Sequence, residues 1–228
     1  MTISGRTRPL MLWRILIFVW LSVWMVVALL FAPQVPVLHE TTRVLYFHIP
    51  AAWIAVLALG WGMLHSVLYL VKRDLNHDDQ AAAAAELGVL FTVVATVSGS
   101  LWAKRMWGSY WNWDPRETSI FFVLILYIAY LALRGSIEGD EKRARLSAIY
   151  SAIAFVAVPF LMFVVPRMYE GLHPDPIINN RGKVDMDPLI RICFFMMLIG
   201  FTALYFWLQT LRVRVTRLER RRELARGI

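Results

Sequence analysis

Residues 48–71 read HIPAAWIAVLALGWGMLHSVLYLV, with no Asp, Glu, Lys or Arg anywhere in the stretch. About 20 helical residues cross the roughly 30 Å of hydrocarbon in a bilayer, so a run of this length reads as a membrane span. Five further runs lie on either side of it, at about 11–32, 86–103, 118–134, 147–165 and 189–211. They are continuous rather than alternating and too long for barrel strands, so helices must satisfy the backbone inside lipid. The expected fold is an all-α integral membrane protein, one domain of six transmembrane helices spanning 1–228. An apolar content of 59% and a mean hydropathy of +0.56 agree with this, because soluble domains are far more polar.

The first run lacks the small-residue cleavage site of a signal peptide and is expected to stay as the first helix. Of the 24 lysines and arginines, 16 fall at the termini and in the even-numbered connections. That bias is the positive-inside pattern, which places both termini in the cytoplasm. The net charge of +8 is therefore assigned to topology, with no nucleic-acid partner. The tail cluster Arg212, Arg214, Arg217, Arg220, Arg221, Arg222 and Arg226 reads as an anchor on anionic membrane lipid, or less simply as a docking surface. The connections 72–85 and 134–145 are short and charged, too small for a domain, and no phosphate-binding glycine loop occurs. The single cysteine, Cys193, excludes an intramolecular disulfide and reads as a small buried apolar residue.

The other three connections, 33–47, 104–117 and 166–188, should emerge together on the outer face. They hold Pro33, Pro36, Pro115, Pro166, Pro174, Pro176 and Pro188, which bend and stiffen them. The middle one, 104–117, contains Trp107-Gly108-Ser109-Tyr110-Trp111-Asn112-Trp113-Asp114-Pro115-Arg116. Such a loop can lay an aromatic surface against a large planar ligand. Asp114 and Pro115 suit the start of the next helix, with Glu117 well placed in its first turn. Interfacial tryptophans also form ordinary aromatic belts, which is the structural alternative.

Each flanking loop supplies a histidine. His48 stands near the start of the second helix, where Pro50 suits the first turn. His173 sits in Gly171-Leu172-His173-Pro174-Asp175-Pro176. Two imidazoles with an aromatic floor between them are what a six-coordinate haem iron needs. Arg116 and Arg43 are the candidates for the haem propionates, since a guanidinium can hold a carboxylate through two parallel bonds. His77 reads as solvated, His65 as a packing or interfacial residue, and His39 is open to any role.

The motif Trp107-Gly-x-x-Trp111-x-Trp113-Asp114, together with Arg43-x-x-Tyr46-x-His48-x-Pro50-Ala51-Ala52-Trp53, resembles the haem-handling proteins of cytochrome c biogenesis. With six spans and this length, the chain is similar to the haem exporter protein C family of the system I pathway. The resemblance implies that His48 and His173 are axial ligands of a non-covalent haem b. It implies that the segment from Trp107 through Gly108, Tyr110, Trp111 and Trp113 to Asp114 holds the haem edge. It further implies delivery to a periplasmic haem chaperone, alongside two ABC transporter subunits and a small single-span subunit in the inner membrane. No catalysis by this chain is expected. The continuation Asp114-Pro-Arg-Glu-Thr118 looks closer to the system II haem-handling protein, a cytochrome c synthase component. A b-type electron-transfer subunit and a plain permease are the other readings.

Overall fold

Six helices among the described residues are long and apolar enough to cross a membrane. The computed structural model describes residues 4–174, 177, 183–184 and 186–226. Its helices are α1 (Ser4–Leu30), α2 (Leu45–Lys72), α3 (Leu75–Trp107), α4 (Pro115–Ser136), α5 (Asp140–Pro159), the one-turn α6 (Val165–Met168) and α7 (Pro188–Arg226). A 3-10 turn, Glu40–Val44, leads into α2, and a π-helical turn, Phe160–Val164, joins α5 to α6. Pro159 has no N–H for the carbonyl one turn back, at Phe155, and Pro166 has none for Met162. Widening the helical register there accommodates the missing bonds.

Helix starts fall earlier than the sequence expectation, at Ser4, Leu45, Leu75 and Asp140 rather than at about 11, 48, 86 and 147. α2 begins at Leu45 rather than at His48, so His48 is already helical and Pro50 lies inside the helix. α3 begins at Leu75, not at 86, with Asp74 as its N-cap accepting from the Asn76 amide at 2.9 Å. The connection expected over 72–85 is thus only Arg73 and Asp74. The 134–145 connection shortens likewise to 137–139, where Gly139 adopts a left-handed φ of 82°. The reason lies in charge pairing. Asp78 and Asp79 make residues 76–86 look like loop, but both are buried inside the helix. Asp78 accepts two bonds from Arg134 of α4, at 2.7 and 2.6 Å. Asp79 is bonded by Arg220 and lies 3.4 Å from Arg217 Nε. The alanine run 81–85 that follows them is buried throughout, at 4% exposure or less.

The pairing also changes the reading of the tail. Arg212 binds Glu86, with Nη2 at 3.0 Å from Oε1. Three of the seven tail arginines therefore answer carboxylates of this chain, while Arg214, Arg221 and Arg222 are exposed. His77, expected in solvent, is helical and partly buried. Its Nδ1 lies 3.0 Å from that of His65, whose ring packs 5.0 Å from Trp61.

The chain divides into two compact units, Met1–Pro50 with Pro174–Trp207, and Ala51–His173 with Leu208–Ile228. The first is built around Ala28, Tyr46, Cys193, Phe194 and Met197. Cys193 is fully buried there, as its reading as a small apolar residue requires. Trp20 Nε1 donates to the Met196 carbonyl at 2.8 Å. The second unit is built around Leu59, Ala85, Val123, Tyr127, Tyr130, Ala154 and Val158. It contains the whole tryptophan-rich segment and His173.

Candidate functional site

Two residues shape the tryptophan-rich segment before any tryptophan does. Asp114 is the N-cap of α4, and Pro115 opens the helix with its preset backbone angle. The Asp114 carboxylate accepts from the Arg116 amide at 2.9 Å. Glu117 reaches back and accepts from the Asp114 amide at 3.3 Å and the Asn112 amide at 2.7 Å. This reciprocal pair is a capping box, and it confirms the helix start read from Asp114-Pro115. Glu117→Ala should cost about 0.5–2 kcal/mol of stability, the usual loss for a removed cap, while Glu117→Gln keeps an acceptor and most of the effect. Thermal unfolding in detergent measures it; equal melting temperatures for Glu117→Ala and the native chain would show the box to be idle.

The other end of the segment is fixed by Gly108. It caps α3 with φ 80° and donates to the Lys104 carbonyl at 3.2 Å. A left-handed residue there costs glycine nothing and other residues more. Trp107 is consequently the last residue of α3 and not part of the loop. The tryptophans split into two groups rather than one flat surface. Trp111 meets Trp113 edge to face, with centroids 5.9 Å apart, and Phe121 at 6.0 Å. Trp113 is 70% exposed and takes a left-handed φ of 57°, an uncommon conformation for a bulky side chain. Tyr110 is exposed, with Lys104 Nζ 5.4 Å from its ring centre.

Trp107 faces a different partner. Its ring centre lies 4.9 Å from that of His173, and Trp102 lies 5.9 Å from the same imidazole. Trp102 was not singled out in the sequence; it lies five residues before Trp107 within α3. His173 Nδ1 is 2.7 Å from Asp114 Oδ1, although 59 residues separate the two in the chain. Leu172 donates its amide to Asp114 Oδ2 at 2.6 Å.

Burial pushes the His173 imidazole below its ordinary value, against the pull of Asp114. Burial also works to raise the Asp114 carboxyl, but the Arg116 amide, His173 and the Leu172 amide outweigh it and hold it below the ordinary carboxylate value. The contact is a hydrogen bond between the ring and the carboxylate. A carboxylate only accepts, so Nδ1 carries the hydrogen and Nε2 keeps the lone pair a metal needs.

In the first unit, Arg43 donates to Glu40 Oε2 at 2.8 Å and to the Ala28 carbonyl at 3.1 Å. Any carboxylate ligand at Arg43 would compete with Glu40. His48 is partly buried in the first turn of α2, while His39 is exposed. Pro176, counted among the prolines of its loop, lies outside the described residues.

These features define a class: a helical membrane protein of several spans, carrying a tryptophan-rich segment and an anchored imidazole beside it. The chain belongs to the CcmC family, whose description is Heme exporter protein C and whose model matches residues 1–227. Heme exporter protein C of Bradyrhizobium diazoefficiens is 32% identical over 181 residues, covering 79% of this chain and 68% of that protein. Heme exporter protein C of Escherichia coli K12 is 30% identical over 194 residues, covering 84% and 78%. A putative cytochrome c biosynthesis ccmC-like mitochondrial protein of Marchantia polymorpha is 32% identical over 197 residues, covering 86% and 81%.

Proposed function

We propose that this chain binds haem as its cargo, on the face that carries the tryptophan-rich segment, and hands it on during the maturation of c-type cytochromes. The observation that carries the reading is His173, walled by Trp102 and Trp107 and bonded through Nδ1 to Asp114. A neutral imidazole with Nε2 left to donate is a good haem-iron ligand, and indole faces suit a porphyrin. His48, in the motif that leads into α2, is the second axial ligand on this reading. Trp107, Trp111, Trp113 and Tyr110 supply aromatic surface for the porphyrin edge, and Arg116 and Arg43 are the candidate propionate partners.

The membrane on this reading is the inner membrane, with both termini cytoplasmic and the tryptophan segment on the periplasmic face. The haem is a non-covalent haem b, and its recipient is a periplasmic haem chaperone. Two ABC transporter subunits and a small single-span subunit complete the assembly, and this chain performs no catalytic turnover of its own. Family membership and the placement of His173 beside the tryptophans support these assignments.

The test is the visible absorption spectrum of the purified protein with added haem, beside a His48→Ala/His173→Ala variant. A Soret band lost or strongly shifted in the variant is expected. An unchanged band would move the ligands elsewhere, and two haems per chain would favour an electron-transfer subunit instead.

A further inference from the structure

We propose that Asp114 is a positioning residue for the metal-binding histidine: it fixes the tautomer and orientation of His173 rather than touching the haem. This deepens the haem-binding reading and rests on it. The sequence offers Asp114 as one end of an aromatic haem-edge segment, and a helix cap would account for its chemistry alone. The geometry goes further than a cap requires. A cap uses one carboxylate oxygen on an amide of the first turn. Here Oδ1 serves both the Arg116 amide and His173 Nδ1, at 2.9 and 2.7 Å, while Oδ2 takes the Leu172 amide at 2.6 Å. The Asp114 side chain is only 1% exposed, which leaves little of it to meet a ligand.

The surroundings are built for this bond. A methyl group added at Gly171 would overlap Asp114 Oδ2 and lie 3.1 Å from Pro115 Cδ. Only glycine lets the backbone come close enough for the next amide to reach the carboxylate. The tripeptide Gly171-Leu172-His173 thus supplies the close approach, an amide donor and the imidazole. Asp114-Pro115 supplies the acceptor and a stiff helix start. Trp107 meets the ring at an interplanar angle of 70° and Trp102 at 37°. The imidazole is held at one nitrogen and bounded by two indoles, which leaves it little freedom to turn.

A carboxylate behind a metal-bound histidine makes the ring a stronger donor and fixes which nitrogen binds. Loss of such a partner typically weakens metal binding by about 10–100-fold. A more strongly donating imidazole also favours the ferric state of a haem, so its loss should raise the reduction potential.

The experiment uses the full chain in detergent with haemin added, comparing native, Asp114→Asn, His173→Ala and the double variant. Haem content, the low-spin fraction and the reduction potential are read on each. The expected result is that Asp114→Asn lowers haem retention roughly 10–100-fold, shifts part of the spectrum to high spin and raises the potential. On the His173→Ala background the same substitution should change none of the three. Gly171→Ala, which displaces the carboxylate without removing it, should move spin state and potential in the same direction and serves if Asp114→Asn fails to fold.

If Asp114→Asn alters the melting temperature but neither spin state nor potential, Asp114 is a cap only and the proposal falls. Equal effects of Asp114→Asn with and without His173 would also overturn it. If His173→Ala leaves the native spectrum intact, the ligand assignment itself is wrong and the proposal falls with it.

Discussion

Replacing Asp78 by leucine should lower the stability of the folded protein by about 3–5 kcal/mol, and Arg134→Leu should do the same. The two side chains are 3% and 12% exposed, and two parallel bonds of 2.6 and 2.7 Å join them. Paired in this forked geometry the charges satisfy each other. Removing either partner leaves the other charged, buried and without its neutralising group, which is far more costly than the pair is favourable. The Asp78→Leu/Arg134→Leu double variant should therefore recover most of what either single variant loses, because a well-packed apolar pair is often neutral or stabilising by about 1–4 kcal/mol. Unfolding of the four forms in one detergent measures the coupling. Additive losses in the double variant would mean that the pair is uncoupled.

Removing the imidazole of His173 should produce the largest change in haem binding. With His173→Gly the low-spin, six-coordinate spectrum should disappear, and haem retention should fall by more than the roughly 10–100-fold typical of losing a histidine's supporting partner. Added imidazole should restore much of the low-spin signal, because Asp114 Oδ1 and the Trp102 and Trp107 rings remain to seat it. His39→Ala and His65→Ala should leave haem content unchanged; His39 is exposed and His65 is paired with His77. A loss in His65→Ala matching that of His173→Gly, or no rescue by imidazole, would count against an axial role for His173.

The six spans were legible because a continuous apolar run reports burial in lipid without any knowledge of neighbours. Where the runs end was less legible, and α3 shows why. Its first three turns carry Asn76, Asp78 and Asp79, which locally argue for loop. What makes them helical interior is Arg134, 56 residues on, and Arg220, 141 residues on. No window of sequence contains both halves of those pairs. The site divides in the same way. Asp114-Pro115 with Glu117 announced a helix start through local chemistry, and the structure has it. The bond from His173 to Asp114 spans 59 residues and left no local pattern. The aromatic neighbours of Trp107 in sequence argue for the loop, whereas it is the last residue of α3, capped by Gly108, with its ring beside His173.

Asp79 ties the start of α3 to the far end of α7. Arg217 and Arg220 belong to the far end of α7, and Arg220 is synthesised 141 residues after the carboxylate it neutralises. An acid placed early in α3 is thus answered by the last helix of the chain. A chain ending after α6 would carry Asp79, near the start of α3, without Arg217 and Arg220.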